Sequence, residues 1–351
     1  MAVPPFPTST FTTPHGLIYH YVYIPPRISI PNSTILILHG FPSIPTDFTS
    51  QITHLTHLNH GVLAPTLLGY HPTSTPQSPH HYALKSQCDD LIALLSHLHI
   101  TTSIHDIGHD WGATLLSRLS YYYPHRLAKL AYLAIAPPPL GQPFDLDFVN
   151  KLSENLGDEA FGYQKFFIDD VQYAQQLLEA NHDRMEMLMF AEGSQNLWRD
   201  YFGSIGGLEN WWKAEGDLPK DAKMIQGVTE EDLSRRREVF CPGKDDEVEN
   251  GEFGRGYAGP LMWYVSHNQI LNLGDERQEE NDWKRWKSDH DILLVLCDKD
   301  PIAPPSMHIG MAQSYVRDVR KQLRVAHLLS GHFVMYERSW ELNKLLEDFL
   351  H

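Results

Sequence analysis

Cysteine is scarce. Three residues in 351, Cys88, Cys241 and Cys297, are too few and too scattered for a disulfide framework or a cysteine-built zinc site. No run approaches 18 uncharged apolar residues, and residues 1–14, rich in proline and threonine, lack the apolar core of a secretory leader. Neither a membrane span nor a signal peptide is therefore expected. Basic charge is short as well: 28 Lys and Arg stand against 44 Asp and Glu, for a net charge of −16. Such a surface repels phosphate backbones and anionic lipid, which argues against nucleic-acid and membrane-surface binding. The expected setting is reducing and cytoplasmic. The remaining composition, 42% apolar and 21% charged, is that of a globular protein long enough to bury a large core. Twenty-one histidines imply that the net negative charge shrinks steeply below neutral pH.

Short apolar runs alternate with amphipathic stretches over the first 136 residues. Strands are predicted at 17–24, 34–38, 61–65, 103–107 and 127–136, with helices at 47–58, 82–98 and 113–123. Alternation breaks at Pro137-Pro138-Pro139, and residues 140–265 read as mostly helical. Alternation resumes with strands at 292–296 and 323–328, a helix at 306–316 and a terminal helix. The fold class predicted is α/β, a mostly parallel sheet with helices on both faces. Its core (1–139 and 266–351) is interrupted by a helical cap (140–265). Residues 241–256, rich in glycine, proline and acids, read as a loop of the cap. Arg235, Arg236 and Arg237 read as a solvated helix face.

The densest chemical signal is Gly108-His109-Asp110-Trp111-Gly112, where a predicted strand turns directly into a predicted helix. Glycines flanking the central residue let strand and helix approach while its side chain is thrust up on a tight turn. An aspartate there dictates the chemistry. A carboxylate attacking a saturated carbon leaves an ester that water can cleave, whereas a serine would leave an ether. The competing role for Asp110 is a helix N-cap.

A carboxylate nucleophile needs a base to activate water, and the base needs an orienting acid. His332 follows the last predicted strand and Asp300 follows the one before, the chain order nucleophile, acid, base that this architecture uses. Asp298 competes with Asp300. His39-Gly40-Phe41-Pro42 follows the central apolar strand, which assigns an oxyanion hole to the backbone N–H groups of Phe41 and Trp111.

Together His-Gly-Phe-Pro, Gly-His-Asp-Trp-Gly-Ala, the Asp300 loop and Gly331-His332 resemble the epoxide hydrolases of the α/β-hydrolase fold, over almost the whole chain. The resemblance implies an inserted helical cap carrying two tyrosines that donate hydrogen bonds, and one proton, to the epoxide oxygen. Tyr163, in Phe161-Gly162-Tyr163-Gln164, matches the first. Tyr264 matches the second in a segment with two extra residues, and Tyr257 is its competitor. His39 and Trp263 are expected at the substrate. The implied substrates are an apolar epoxide and water, with no cofactor and no metal. Other readings stay open: a dehalogenase with the same aspartate, an epoxide-opening cyclase, and a non-catalytic ligand-binding protein of this fold. Dehalogenases favour a side-chain donor after His-Gly, where Phe41 has none.

Overall fold

The computed structural model describes residues 5–27, 34–155, 161–213, 223–242, 254–278 and 283–351. Eight strands form one sheet in the order β1-β2-β4-β3-β5-β6-β7-β8. They are β1 (Thr8–Thr12), β2 (Ile18–Ile24), β3 (Thr34–Leu38), β4 (Gly61–Pro65), β5 (Ile104–His109), β6 (Leu127–Leu133), β7 (Asp291–Cys297) and β8 (Leu323–Leu328). β1 and β2 run antiparallel at one edge, and from β4 to β8 every pairing is parallel. Every residue of β3, β4 and β5 is buried, as central strands covered on both faces must be, and in β5 that burial takes in His105, Asp106 and His109. The predicted strands are all present. The additional strand is β1, whose Thr-Ser-Thr-Phe-Thr run lies among prolines. Its β-branched residues pair with β2 instead of extending the irregular N-terminus.

Among the described residues between β6 and β7, apart from one isolated β-bridge from Ala191 to Met224, the elements are all helices. These include Leu146–Asn155, Gly162–Asp169, Val171–Ala180, His182–Phe190, Glu230–Phe240 and Ala258–Asn268. Residues 243–253, most of the loop expected at 241–256, lie outside the described residues.

Two buried ionic clusters tie this helical insertion to the sheet domain. Arg118 on the helix after β5 bonds Glu276 at 2.8 Å and the carbonyls of Pro138 and Pro139 at 2.9 and 3.1 Å, and so grips the three-proline exit. Arg236 corrects the expectation of a solvated arginine face, because it is fully buried. Its guanidinium binds Glu186 at 2.6 Å, Asp47 at 2.8 Å and the carbonyl of Pro42, and lies over the Phe190 ring at 4.1 Å. Its neighbour Arg237 is exposed and pairs with Asp183. Of the three, Arg236 points inward at an acidic cage, Arg235 is half-buried beside Asp232, and Arg237 faces out.

Candidate active site

Asp110 sits at the junction of β5 and the helix Trp111–Tyr122 with φ 52° and ψ −121°, a left-handed conformation that costs a non-glycine residue of order 1–3 kcal/mol. Close approach of the backbones makes the turn possible. A Cβ on Gly112 would collide with the Leu38 carbonyl of β3, and one on Gly40 would collide with the Asp110 carboxylate. Although Asp110 occupies the N-cap position, its side chain makes no capping hydrogen bond. Instead Oδ1 accepts the Phe41 N–H at 2.7 Å, and Oδ2 stands 3.6 Å from His332 Nε2. Burial alone would raise the Asp110 pKa. Its partners His332 and Phe41 overcome that and hold the carboxyl below the ordinary range, so it is ionised.

His332 Nδ1 bonds Asp300 Oδ2 at 2.6 Å, and Asp300 Oδ1 accepts the N–H groups of Ile302 and Ala303, each at 3.0 Å. Asp298, the rival acid, pairs with His327 at 2.8 Å. Burial would lower the His332 pKa, but the two flanking carboxylates raise it to about 10. The imidazole is therefore a cation in the free protein. His109 Nε2 lies 2.9 Å from the His332 carbonyl, with its ring 4.8 Å from the His332 ring. Burial holds His109 neutral, with a pKa of about 4.

A cavity of about 260 Å³ opens onto Asp110 between sheet and insertion, and Tyr163 and Tyr264 both line it. Their rings lie 5.9 Å apart and are fixed by aromatic neighbours: Tyr163 stacks on Phe202 at 4.1 Å, and Tyr264 meets Trp111 edge-on at 5.1 Å. The Gln164 side-chain amide donates to the Tyr163 hydroxyl at 3.0 Å. With the Tyr163 oxygen already accepting, its O–H proton is the part left to give. Burial first, then nearby negative charge, raises both phenol pKa values above the ordinary range, so both keep their protons at neutral pH.

Two expectations, for His39 and Trp263, change in detail, while the choice between Tyr257 and Tyr264 does not. Tyr257 is buried with its hydroxyl 2.9 Å from His182 Nδ1, and it is Tyr264 that lines the cavity. His39 is not at the cavity: its Nδ1 meets the Gly40 carbonyl and its Nε2 accepts the Leu67 N–H, each at 3.0 Å, so it braces the loops after β3 and β4. Trp263 is also turned away, donating its indole N–H to the Leu68 carbonyl at 2.8 Å. Trp111 opens its helix, where first-turn N–H groups have no helical partner. Sequence reasoning missed His109, Gln164 and Arg236. Only adjacency to Asp110 and Tyr163 signals the first two, and no local pattern signals the third.

A family model described as alpha/beta hydrolase fold matches residues 33–339. Among curated proteins, the epoxide hydrolase srdG of Neurospora crassa is 28% identical, with 95% of this chain and 92% of that protein aligned. Epoxide hydrolase A of Mycobacterium tuberculosis is 25% identical over 91% of each chain. The bifunctional epoxide hydrolase 2 of Sus scrofa is 25% identical, and the alignment takes in 99% of this chain but 57% of that longer protein. Among solved structures, epoxide hydrolase A from Mycobacterium thermoresistibile superposes with a TM-score of 0.72 at 23% identity, covering 98% of both chains.

Proposed function

Because this chain belongs to the α/β-hydrolase-fold family, we propose that it is an epoxide hydrolase, converting an uncharged epoxide to a vicinal diol through an ester on Asp110. The observation that carries this reading is the division of labour at one carboxylate. Oδ1 is held by the Phe41 N–H, Oδ2 is turned toward His332, and two protonated phenols share its cavity.

In the first step Oδ2 attacks an epoxide carbon, the ring C–O bond breaks, and Tyr163 and Tyr264 hold the departing oxygen while one of them transfers its proton to it. His332, a cation until then, faces a neutral ester in place of a carboxylate. Its pKa drops, and its proton returns by way of solvent to the tyrosinate. In the second step neutral His332, steadied by Asp300, takes a proton from water, whose oxygen adds to the ester carbonyl carbon. The charge that forms on Oδ1 sits at the Phe41 N–H, joined by the Trp111 N–H. Collapse breaks the bond to the alkyl oxygen. The second water proton passes to that oxygen, the diol leaves, and Asp110 is again ionised opposite protonated His332.

The helical insertion serves as the lid, since it supplies both phenols and closes the cavity. Three free thiols fit the cytoplasmic setting read from composition. Among the described residues no helix is long and apolar enough to cross a membrane. Incubation with a panel of alkyl and aryl epoxides tests the proposal. Diol should form with wild type and not with Asp110→Asn. Halide release from haloalkanes without diol formation would favour the dehalogenase reading.

A further inference from the structure

Polarity is unevenly spread around the cavity. Among its described lining residues there is no Lys or Arg, and Asp110 is the ionised group there. A substrate carrying a carboxylate would enter a negative, poorly solvated space without a counter-charge, in a chain of net charge −16. Beside the tyrosines the wall carries the rings of Trp111, Phe144 and Phe161 among aliphatic side chains, and two imidazoles, His267 and His308, are set into it. The His267 ring lies 5.4 Å from the Trp111 ring and 5.1 Å from the Phe144 ring.

His267 follows Tyr264 by three residues in the helix Ala258–Asn268, and both line the cavity. Residues so spaced share a helix face with Cβ atoms about 5–6 Å apart, the breadth of one aromatic ring. Other imidazoles near the site each give at least one ring nitrogen to a backbone group: His39 to Gly40 and Leu67, His109 through Nε2 to the His332 carbonyl, His308 through Nδ1 to the Ala136 N–H. The His267 ring makes no hydrogen bond among the described residues, although it faces the cavity. Burial and the nearby Arg118 hold its pKa at about 4, so at neutral pH it offers one donor and one acceptor without charge.

We propose that His267 is the specificity-determining residue of this cavity, hydrogen-bonding an uncharged oxygen substituent, a hydroxyl or carbonyl, on an aryl epoxide stacked against Trp111 and Phe144. The inference rests on the epoxide reading and narrows its substrate class to neutral, oxygenated aryl epoxides. Epoxides that end in a carboxylate are excluded.

The test compares three matched substrates with the full chain: a phenyl-substituted epoxide, the same compound with a ring hydroxymethyl group, and its ring carboxylate. In the unmodified protein kcat/KM should be about tenfold higher for the hydroxymethyl compound than for the parent, the worth of one good hydrogen bond. It should be about tenfold lower for the carboxylate than for the parent. His267→Phe keeps an aromatic ring in the wall, and the hydroxymethyl-to-parent ratio should fall toward one. His267→Asn, which keeps a donor and an acceptor, should retain part of it. A ratio near one in the unmodified protein, a ratio indifferent to His267→Phe, or a preference for the carboxylate each overturns the assignment while leaving epoxide hydrolysis intact. Failure to turn over any epoxide would overturn the parent reading and this inference with it.

Discussion

His332 stands between two carboxylates, 2.6 Å from Asp300 through Nδ1 and 3.6 Å from Asp110 Oδ2 through Nε2. One imidazole thus answers two negative charges, which is why its pKa lies at about 10 despite burial. Esterification of Asp110 removes one of those charges and converts the ring from counter-ion to base when water has to be deprotonated. Asp110→Asn imitates the charge of the ester, so the His332 pKa is expected to fall by about one unit or more. Imidazole proton resonances followed through a pH titration measure it. An unshifted value would refute this coupling.

Replacing His332 by Gln removes the base but leaves Asp110, Phe41 and the tyrosines in place. Alkylation is then expected to proceed while ester hydrolysis slows by about 10²–10⁴-fold, the usual worth of a positioned base. Mass spectrometry of the Asp110 peptide should show the substrate's added mass. Absence of an adduct in a protein that still consumes epoxide would argue against a covalent route.

Tyr163→Phe and Tyr264→Phe each delete one donor to the departing oxygen. Each is expected to lower the single-turnover alkylation rate by about 10²-fold or more, and the double substitution further still. Because burial and negative charge lift both phenol pKa values, wild-type alkylation should persist at pH values where an ordinary tyrosine has ionised. A rate that falls with an apparent pKa near 10, the ordinary tyrosine value, would contradict this assignment.

Arg236→Met should destabilise the fold by about 3–5 kcal/mol, since it strands the buried carboxylates of Glu186 and Asp47 without a cation. Urea unfolding measures the loss, and a change under 1 kcal/mol would mean that the cage is not the buried network the distances describe. Arg236 also holds the Pro42 carbonyl, next to the Phe41 that binds Asp110, so the folded variant should lose kcat as well as stability.

Acid sensitivity follows from the buried histidines. His39, His105, His109, His267 and His308 are each held at about pKa 4 by burial, and His182 at about 3. Between that range and the unfolded value near 6.5 the unfolded chain binds more protons, so stability rises with pH. It is therefore lost on acidification, by about 1.4 kcal/mol per pH unit for each such histidine. His332 acts oppositely. Its raised pKa contributes stability that is complete below pH 6.5 and fades as pH climbs through about 10. Denaturant midpoints at pH 4.5, 6, 7.5 and 10 should give a maximum near neutrality with the steeper fall on the acid side.

The parts of the site legible in sequence are those fixed by a few adjacent residues. Glycines around Asp110 announce a turn that only they permit, and the post-strand positions of Asp300 and His332 follow from sheet topology. Tyr163 and Tyr264 came from resemblance, and local pattern could not separate Tyr264 from Tyr257. That choice depends on which face of the helix Ala258–Asn268 meets the cavity, and on His182, 75 residues before Tyr257, engaging the competitor. Arg236 is illegible for the same reason. Its partners lie 50 and 189 residues away, and three consecutive arginines do not reveal which one turns inward. His39 sits in a motif that marks the site, yet its two nitrogens are spent on bracing loops, a commitment visible only in three dimensions.

The central claim is that an oxygen of Asp110 becomes an oxygen of the diol, and one turnover in heavy-oxygen water tests it most directly. With enzyme in excess over epoxide, the first diol should be unlabelled and the label should appear in Asp110. Labelled diol with an unlabelled Asp110 would mean that water attacks the epoxide itself, and the account built on the carboxylate would fail.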